Sequence, residues 1–237
     1  MVANFVESLD GVVALGVGGS GGGEISGFFE PDRFVMGLLR SLADAVVVGA
    51  GTMRNAPTHE WTPRRVDKAY TEAYEGLRRE LGLAPQPTTV LVTGSGDIDP
   101  RHPALTAPDV PVIIATTADG ARRIAAGDLS PHVRVEPVGE GDCVAPERIV
   151  EILTRERFVL ALCEGGPHLL GDLLSIDALD ELFLTLAPQL IGRDEGARRL
   201  AFVEGFGFPP EQGRWLELVS VHRAGSHLFL RHRMEAS

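Results

Sequence analysis

Three turns rich in small residues, each directly after an apolar segment, constrain this chain more than any other feature of its sequence. They are Gly49-Ala50-Gly51-Thr52, Thr93-Gly94-Ser95-Gly96 and Glu164-Gly165-Gly166-Pro167. In α/β proteins such turns form a crevice at the carboxyl edge of the sheet, where nucleotides bind. Proline at the first helical position leaves the other free N–H groups of the helix end available to an anion. The sequence therefore predicts a dinucleotide site and, with it, hydride transfer.

The hydrophobic periodicity alternates between that of strands and that of helices. Strands are predicted at Ala45–Val48, Thr88–Val92, Val110–Ala115, Val133–Glu136, Phe158–Cys163 and Leu182–Ala187. Helices are predicted to start at Pro31, Val66, Ala118, Pro146 and Pro167. Near the end, Trp215–Val221 and His227–Arg231 have the pattern of an antiparallel hairpin. We predict a single α/β domain over residues 1–237, with a mixed, mostly parallel sheet, helices on both faces and a C-terminal antiparallel hairpin.

Composition narrows the class of protein. The 237 residues carry a formal net charge of −11 without a basic stripe, so neither nucleic acid nor an anionic membrane is expected as a partner. There are only two cysteines, Cys143 and Cys163, and no apolar run approaches the roughly 20 residues that span a bilayer. We expect no secretory leader, because the first predicted strand is Val2–Val6. We expect a cytoplasmic protein that acts on a small-molecule substrate.

Two patterns in the glycine-rich segment are rejected as chance matches. Gly16–Gly21 fits GxGxxG, but that motif must open a helix directly, and the next periodic helix starts only at Pro31. Gly18–Gly22 fits GxSxG, which needs a sharp strand-to-helix turn and a later acid and histidine. The segment is better interpreted as a mobile loop, with a lid over a bound ligand as one hypothesis.

No metal site is predicted. His222, His227 and His232 are spaced by five residues, which places neighbours on opposite faces of a strand. His59-Glu60 lacks the second histidine of HExxH, and the cysteines form no CxxC pair.

Several segments, in their order along the chain, resemble the riboflavin-biosynthesis pyrimidine reductase family, the reductase half of a bifunctional deaminase–reductase. The segments are Asn4-Phe5-Val6-Glu7-Ser8-Leu9-Asp10-Gly11, Glu24-Ile25-Ser26-Gly27, Leu38-Leu39-Arg40, Val48-Gly49-Ala50-Gly51-Thr52, Glu164-Gly165-Gly166-Pro167, Asp180-Glu181-Leu182 and Ala187-Pro188-Gln189-Leu190-Ile191-Gly192. The resemblance implies a dihydrofolate-reductase-like fold, NADPH as hydride donor, a ribosylaminopyrimidine phosphate as substrate and a homodimer. No deaminase motif of the type His-x-Glu with Pro-Cys-x-x-Cys is present.

The resemblance also implies roles for individual residues. The implied cofactor-binding residues are Gly49, Gly51, Thr52, Gly94, Ser95, Gly165, Gly166, Pro167, His168, Leu169 and Leu170. The implied substrate-binding residues are Asn4, Ser8, Ser26, Arg40 and Glu164, and the implied catalytic residues are Glu164 and Asp10. The residues themselves leave alternatives open. Glu164 is either an acid near the reacting carbon or a helix cap, and Asp10 either acts on substrate or forms a turn with Gly11. Arg40 is either a phosphate clamp or a cation favoured at a helix C-terminus.

One segment departs from the family pattern. After Thr52 the family's biosynthetic members carry Asp-Asp-Pro and then an arginine, whereas this chain has Met53-Arg54-Asn55-Ala56-Pro57. Arg64 or Arg65 would have to supply the arginine. This departure leaves three functions open: pyrimidine reductase in riboflavin biosynthesis, reductase of dihydrofolate or another pterin-like molecule, and a non-catalytic NADP-binding dimer.

Overall fold

The computed structural model describes residues 1–16, 22–193 and 199–235. Within them the chain packs as two compact units. The central unit comprises Phe34–Leu162, and the terminal unit comprises Met1–Arg33 with Cys163–Ser237. The chain passes between the units in helix α2 (Glu30–Leu42) and in strand β6 (Ala161–Cys163). The prediction of a single reductase domain over residues 1–237 stays a prediction.

The central unit contains a parallel sheet in the order β5-β4-β3-β2. These strands are β2 (Ala45–Gly49), β3 (Thr88–Thr93), β4 (Val112–Thr117) and β5 (Val133–Gly139). The helices between them are α3 (Ala50–Asn55), α4 (Thr71–Glu80), α5 (Pro103–Thr106), α6 (Ala118–Ala125) and α7 (Pro146–Arg155). Short 3₁₀ turns occur at Pro63–Arg65 and Lys68–Tyr70.

The terminal unit mixes parallel and antiparallel pairing. Strand β1 (Val2–Ser8) pairs in parallel with β7 (Glu181–Ala187). Strand β9 (His227–Met234) pairs antiparallel with β7 and with β8 (Leu216–Ala224), which completes the C-terminal hairpin. Its helices are α1 (Gly22–Ser26) and α8 (Pro167–Ser175). The predicted α/β fold, with a mixed, mostly parallel sheet and a C-terminal antiparallel hairpin, is confirmed.

Local sequence explains why these elements form. The β-branched run Val46-Val47-Val48 is fully buried in β2, and β4 is buried along its whole length, as strands covered on both faces require. Helix α6 starts where the Thr117 hydroxyl accepts a hydrogen bond from the Gly120 N–H at 3.0 Å. Prolines occupy the first helical position of α7 and α8.

Two predicted elements differ from those observed. Only the last part of Phe158–Cys163 is a strand, because the Asp44 carboxylate takes the N–H groups of Val159 and Leu160 at 2.8 and 2.9 Å. The helix predicted to start at Val66 starts instead at Thr71. The Asp67 side chain accepts the Ala69 N–H and stabilises a separate 3₁₀ turn first.

Most of the glycine-rich segment behind the two rejected motifs, residues 17–21, lies outside the described residues. None of the described helices is both long and apolar enough to cross a membrane.

Candidate active site

The turn after β2 leaves its backbone accessible. Gly49 precedes α3 in an extended conformation, and no side chain caps the helix. Gly51 is exposed, and the nearest heavy atom to a β-carbon placed there would be Arg54 Nη2 at 4.0 Å. Thr52 follows in the same short helix and is half-buried. A β-carbon on Gly51 would therefore find open space, and the cofactor role of Gly51 stays a prediction.

The turn after β3 has a structural reason for its glycines. A β-carbon on Gly94 would collide with the backbone carbonyl of Asp142, and one on Gly96 with that of Gly120. Gly96 also has a φ of +66°, a conformation that favours glycine. The Thr117 hydroxyl donates to the Gly94 carbonyl at 2.8 Å. These glycines let three backbone segments pack together, whether or not a cofactor binds nearby.

Ser95, at the tip of the same turn, is exposed, and its hydroxyl oxygen accepts the Asp97 N–H at 3.2 Å. This contact makes it a turn-forming residue. The predicted contact of Gly94 and Ser95 with a cofactor stays a prediction.

Arg40 is a buried residue that organises a loop. Its guanidinium group donates to the carbonyl oxygens of Glu60 at 3.4 Å and Thr62 at 3.3 Å, and Nη2 lies 2.9 Å from His59 Nε2. Only 1% of Arg40 is exposed. Because an arginine can only donate, His59 Nε2 accepts this hydrogen bond and the imidazole is neutral. The geometry gives Arg40 the role of holding residues 59–62, and a direct phosphate contact stays a prediction.

The two arginines considered for the family's missing arginine are both in ion pairs. Arg65 Nη2 lies 2.7 Å from the buried Glu60 carboxylate, and Arg64 contacts both Glu60 and Asp109. The hydrogen bond to Asp109 raises the pKa of Arg64. A substrate phosphate would therefore have to compete with Glu60 for either guanidinium group.

Ser8 and Asp10, predicted for substrate binding and catalysis, form one turn in the terminal unit. Ser8 is fully buried; its hydroxyl donates to Asp10 Oδ1 at 2.6 Å and accepts the Val12 N–H at 3.0 Å. The Asp10 carboxylate also accepts the N–H groups of Ile191 and Gly192. The geometry supports the turn-forming alternative for Asp10 and a structural role for Ser8.

Asn4 lies in the middle of β1, half-buried, directly across from Phe183 of β7. Strand alternation places its side chain on the same face of the sheet as Val6 and Ser8. Its predicted contact with substrate stays a prediction.

The amino terminus of α8 has no side-chain cap, which suits an anion. Gly166 precedes the helix in an extended conformation without a side-chain cap, and Pro167 occupies the first helical position. Leu169 and Leu170 are buried, so only their backbone can face a ligand, while His168 is exposed. A β-carbon on Gly165 would collide with Leu169, so this glycine is needed for packing. Uncapped N–H groups at a helix start fit the pyrophosphate of a dinucleotide.

Asp32, in the first turn of α2, lies near two predicted site residues and is not itself predicted from the sequence. It is half-buried, and burial raises the pKa of its carboxyl, as does the nearby charge of Glu164. Hydrogen bonds from Thr185 and Ser26 and the charge of His227 oppose this shift. The structure thus brings the predicted residues Ser26 and Glu164 together with one that was missed. An acid in a first helical turn favours the helix by itself, so its position in the sequence carries no functional signal.

Among the described residues no three His, Cys, Asp or Glu side chains form a group that could hold a metal ion.

The sequence matches the family described as RibD C-terminal domain over residues 1–229. The chain belongs to this family. Several proteins of known structure share its fold. A pyrimidine reductase-like protein from Corynebacterium diphtheriae superposes with a TM-score of 0.69 at 23% identity, covering 100% of this chain and 92% of its own. No curated protein matches the sequence.

Two further structures carry names from riboflavin biosynthesis. One is a diaminohydroxyphosphoribosylaminopyrimidine deaminase/5-amino-6-(5-phosphoribosylamino)uracil reductase from Thermotoga maritima, with a TM-score of 0.71 at 20% identity. The match covers 98% of this chain and 56% of that one. The other is the riboflavin biosynthesis reductase Rib7 from Saccharomyces cerevisiae, with a TM-score of 0.67 at 17% identity, covering 99% and 89%. At these identities the likeness shows the fold, and the family match identifies a reductase domain of riboflavin biosynthesis.

Proposed function

We propose that this chain is an NADPH-dependent reductase that acts on a pyrimidine of the 5-amino-6-(5-phosphoribosylamino)uracil type in riboflavin biosynthesis. The observation that carries the proposal is the uncapped start of α8 at Pro167, which follows Glu164-Gly165-Gly166, in a chain of the RibD C-terminal domain family. Helix-end N–H groups suit a pyrophosphate, and the preceding carboxyl suits a polar substrate. The name of the Thermotoga structure supports the same substrate class, and the name of the yeast structure supports the same pathway.

We assign the cofactor-binding residues from turns whose backbone groups are open to a ligand. When bound, the nicotinamide cofactor supplies the hydride, and the protein supplies position and a dry environment. In the terminal unit, the N–H groups of His168 and Leu169 would bind the pyrophosphate, whereas the Leu170 N–H donates to the Gly166 carbonyl at 3.1 Å. In the central unit, contacts of the Gly49–Thr52 turn and of Ser95 with the cofactor stay predictions.

We assign substrate binding to Glu164 and Asn4. Ser26 is 2% exposed and its hydroxyl donates to the Gly23 carbonyl at 3.3 Å, so its contact with substrate stays a prediction. Glu164 is half-buried, and its negative charge raises the pKa of Asp32. Glu164 therefore lies near other polar side chains as well as before a helix. We assign Glu164 the role of orienting the pyrimidine. Asp10 is left out of the proton chemistry, because its hydrogen bonds lower its pKa to about 2.

The test is oxidation of NADPH by the purified protein with the ribosylaminopyrimidine phosphate, with dihydrofolate in a parallel reaction and NADH in place of NADPH in a third. Turnover on the pyrimidine with NADPH supports the proposal. Turnover on dihydrofolate alone would move the function to the pterin alternative. NADPH binding without turnover on either, and unchanged in Glu164→Gln, would indicate a non-catalytic NADP-binding dimer.

We also propose that the chain forms a cytoplasmic homodimer through the hairpin edge. Strand β8 lies at the end of its sheet and exposes Leu218 and Val221, and Trp215 just before it is 81% exposed. An apolar, unpaired strand edge is usually covered by another chain. Light scattering should give a dimer mass for the wild type and a monomer mass for Trp215→Ser with Leu218→Ser. Leu81→Ser, an equally exposed apolar residue in the central unit, is the control.

Both cysteines, the exposed Cys143 and the buried Cys163, are free thiols, which accords with a reducing compartment.

A further inference from the structure

Phe28, in the turn between α1 and α2, combines a left-handed backbone with an exposed aromatic ring. Its φ is +53°, and among the residues that the structure describes only Arg157 and Asp177 share a positive φ without being glycine. Those two are polar and follow the last turns of α7 and α8. Left-handed backbone is unfavourable for a bulky side chain, and 60% of Phe28 is exposed. Folding alone favours neither state, and such backbone outliers cluster where ligands bind.

The end of α1 fixes the backbone of Phe28. Its N–H donates to the Gly23 carbonyl at 2.7 Å, and the Gly27 N–H donates to the Glu24 carbonyl at 3.3 Å, which together form a Schellman motif. The Phe28 ring lies against Gly23, where an added β-carbon would be 2.8 Å from Cε1 of the ring. One part of the ring is therefore supported by α1, and the remainder is exposed.

The hairpin turn between β8 and β9 holds the residues on either side of Phe28. His227 Nε2 donates to the Ser26 carbonyl at 3.0 Å, and the imidazole stacks on Phe29 with centroids 4.1 Å apart and 10° between the planes. A β-carbon on Gly225 would lie 3.6 Å from the Phe29 ring. Because a distant part of the chain anchors both neighbours, the exposed ring of Phe28 belongs to a fixed arrangement.

This turn lies beside the two residues to which we assign substrate binding. Helix α1 packs so closely on β1 that a β-carbon on Gly22 would be 3.0 Å from Val6 Cγ1, and strand alternation places Asn4 on the same face as Val6. Glu164 acts on the charge of Asp32, to which the serine that ends α1 also hydrogen-bonds. The exposed ring is thus part of the same region of the terminal unit as both polar residues.

We propose that Phe28 is the residue on which the heteroaromatic ring of the substrate stacks. The inference rests on the proposed function, in which this ring is a pyrimidine. An aromatic face attracts flat rings through their contact area and their quadrupoles, whereas it gives a puckered, saturated ring no such stacking. Phe28 therefore selects a planar ring, and Asn4 and Glu164 contact the polar edge of that ring.

Calorimetric titration with the ribosylaminopyrimidine phosphate tests the stacking. Phe28→Leu keeps an apolar side chain but removes the ring, so affinity should fall about 5-fold. Phe28→Tyr keeps the ring and should bind like the wild type. In turnover with NADPH, Phe28→Leu should raise KM and leave kcat nearly unchanged, because stacking holds the substrate and the transition state alike. Wild-type affinity in Phe28→Leu would overturn the proposal.

Thermal unfolding provides a readout that a purely structural phenylalanine would move in the opposite direction. Asparagine adopts left-handed backbone more readily than phenylalanine, so Phe28→Asn should raise the melting temperature while it weakens pyrimidine binding. Arg157→Asn, at an exposed left-handed position of the central unit, is the matched control: it should raise the melting temperature and leave binding unchanged. A lower melting temperature with unchanged binding in Phe28→Asn would show that the ring only supports the fold.

A parallel titration with dihydrofolate separates this inference from the proposed function, because a pterin ring also contains a planar heteroaromatic system. Binding of dihydrofolate alone, weakened in Phe28→Leu, would overturn the proposed function and support the role of Phe28. Turnover of the pyrimidine by Phe28→Leu with the KM of the wild type would do the reverse. Binding of neither molecule by the wild type would overturn both.

Discussion

The Asp10 carboxylate accepts the backbone N–H of Gly192 at 2.6 Å and so joins the turn after β1 to the segment after β7. Ile191 adds a second N–H at 3.1 Å, and the Ser8 hydroxyl donates from the same turn. The hydrogen bond from Ser8, followed by those from Ile191 and Gly192, lowers the Asp10 pKa to about 2. Asp10 is ionised at neutral pH and cannot donate a proton there, so its contribution is to hold two chain segments together.

Asp10→Asn should loosen the segment at 191–192. The asparagine amide offers one acceptor oxygen where the carboxylate offers two, so one backbone N–H loses its partner. We expect faster amide hydrogen exchange at Ile191 and Gly192, with no change in the central unit. In the wild type, the stabilisation is present above the ordinary aspartate pKa of 3.8 and should be lost as the pH falls through about 2. Unchanged exchange at both amides would show that these hydrogen bonds do not hold the segment.

Gly94→Ala and Gly51→Ala should separate a packing glycine from a binding glycine. At Gly94 the new methyl group would meet the Asp142 backbone, so we expect a loss of about 2 kcal/mol in the free energy of unfolding. At Gly51 there is open space, and alanine in a helix is favoured by about 0.5–1 kcal/mol, so stability should hold or rise. Thermal unfolding measures both.

The same pair tests the cofactor site when NADPH binding is titrated. Gly51→Ala should weaken NADPH binding because the methyl group keeps a ligand away from the backbone. If it binds NADPH as well as the wild type, the assignment of Gly51 to the cofactor is wrong.

How far the sequence predicts this molecule depends on where each residue's partners lie. The run Val46-Val47-Val48 predicts a strand, and Pro167 predicts a helix start. Both predictions need only the neighbouring residues in the sequence. The residues 158–160 have strand-like composition, yet Asp44, far away in the chain, takes two of their N–H groups. Local pattern cannot show such a partner.

For the candidate site too, features that depend on neighbouring residues are predictable and contacts with distant residues are not. The exposed turn at Gly51 and the uncapped start of α8 were predicted because backbone binding depends on glycine and proline in sequence. Asp32 was missed because its partners come from four separate elements, and an acid after Pro31 already has a local explanation. Ser8 was predicted to bind substrate, but the Val12 N–H and Asp10 already engage its hydroxyl.

Arg78→Lys should be strongly destabilising. Arg78 is 1% exposed, and its Nη1 donates to three carbonyl groups at the end of α2, those of Arg40, Ser41 and Ala43. Arg78 Nε also donates to the Ala84 carbonyl at 2.7 Å, and a single lysine ammonium group cannot replace both nitrogens, so at least one carbonyl loses a charged donor, at a cost of about 3 kcal/mol. The melting temperature should fall by about 6–12 °C.

Arg79→Lys is the matched control, since the neighbouring Arg79 is exposed in the same helix. We expect its melting temperature to stay within about 1 °C of the wild type. Equal melting temperatures for the two variants would mean that the carbonyl groups at the end of α2 do not depend on Arg78.

Asp32→Asn should become more stable relative to the wild type as the pH rises. Burial raises the pKa of Asp32 in the folded protein, so between its unfolded and folded pKa values the native state binds more protons than the unfolded state. Asp32 therefore favours folding fully below its unfolded pKa, and this contribution is lost as the pH rises through the folded pKa. Asparagine does not titrate, so the difference in unfolding free energy should shift towards the variant over that window and then stay constant. Denaturant unfolding at a series of pH values measures it. A difference that is the same at every pH would mean that folding does not raise the pKa of Asp32, so that the charged carboxylate costs nothing in the fold.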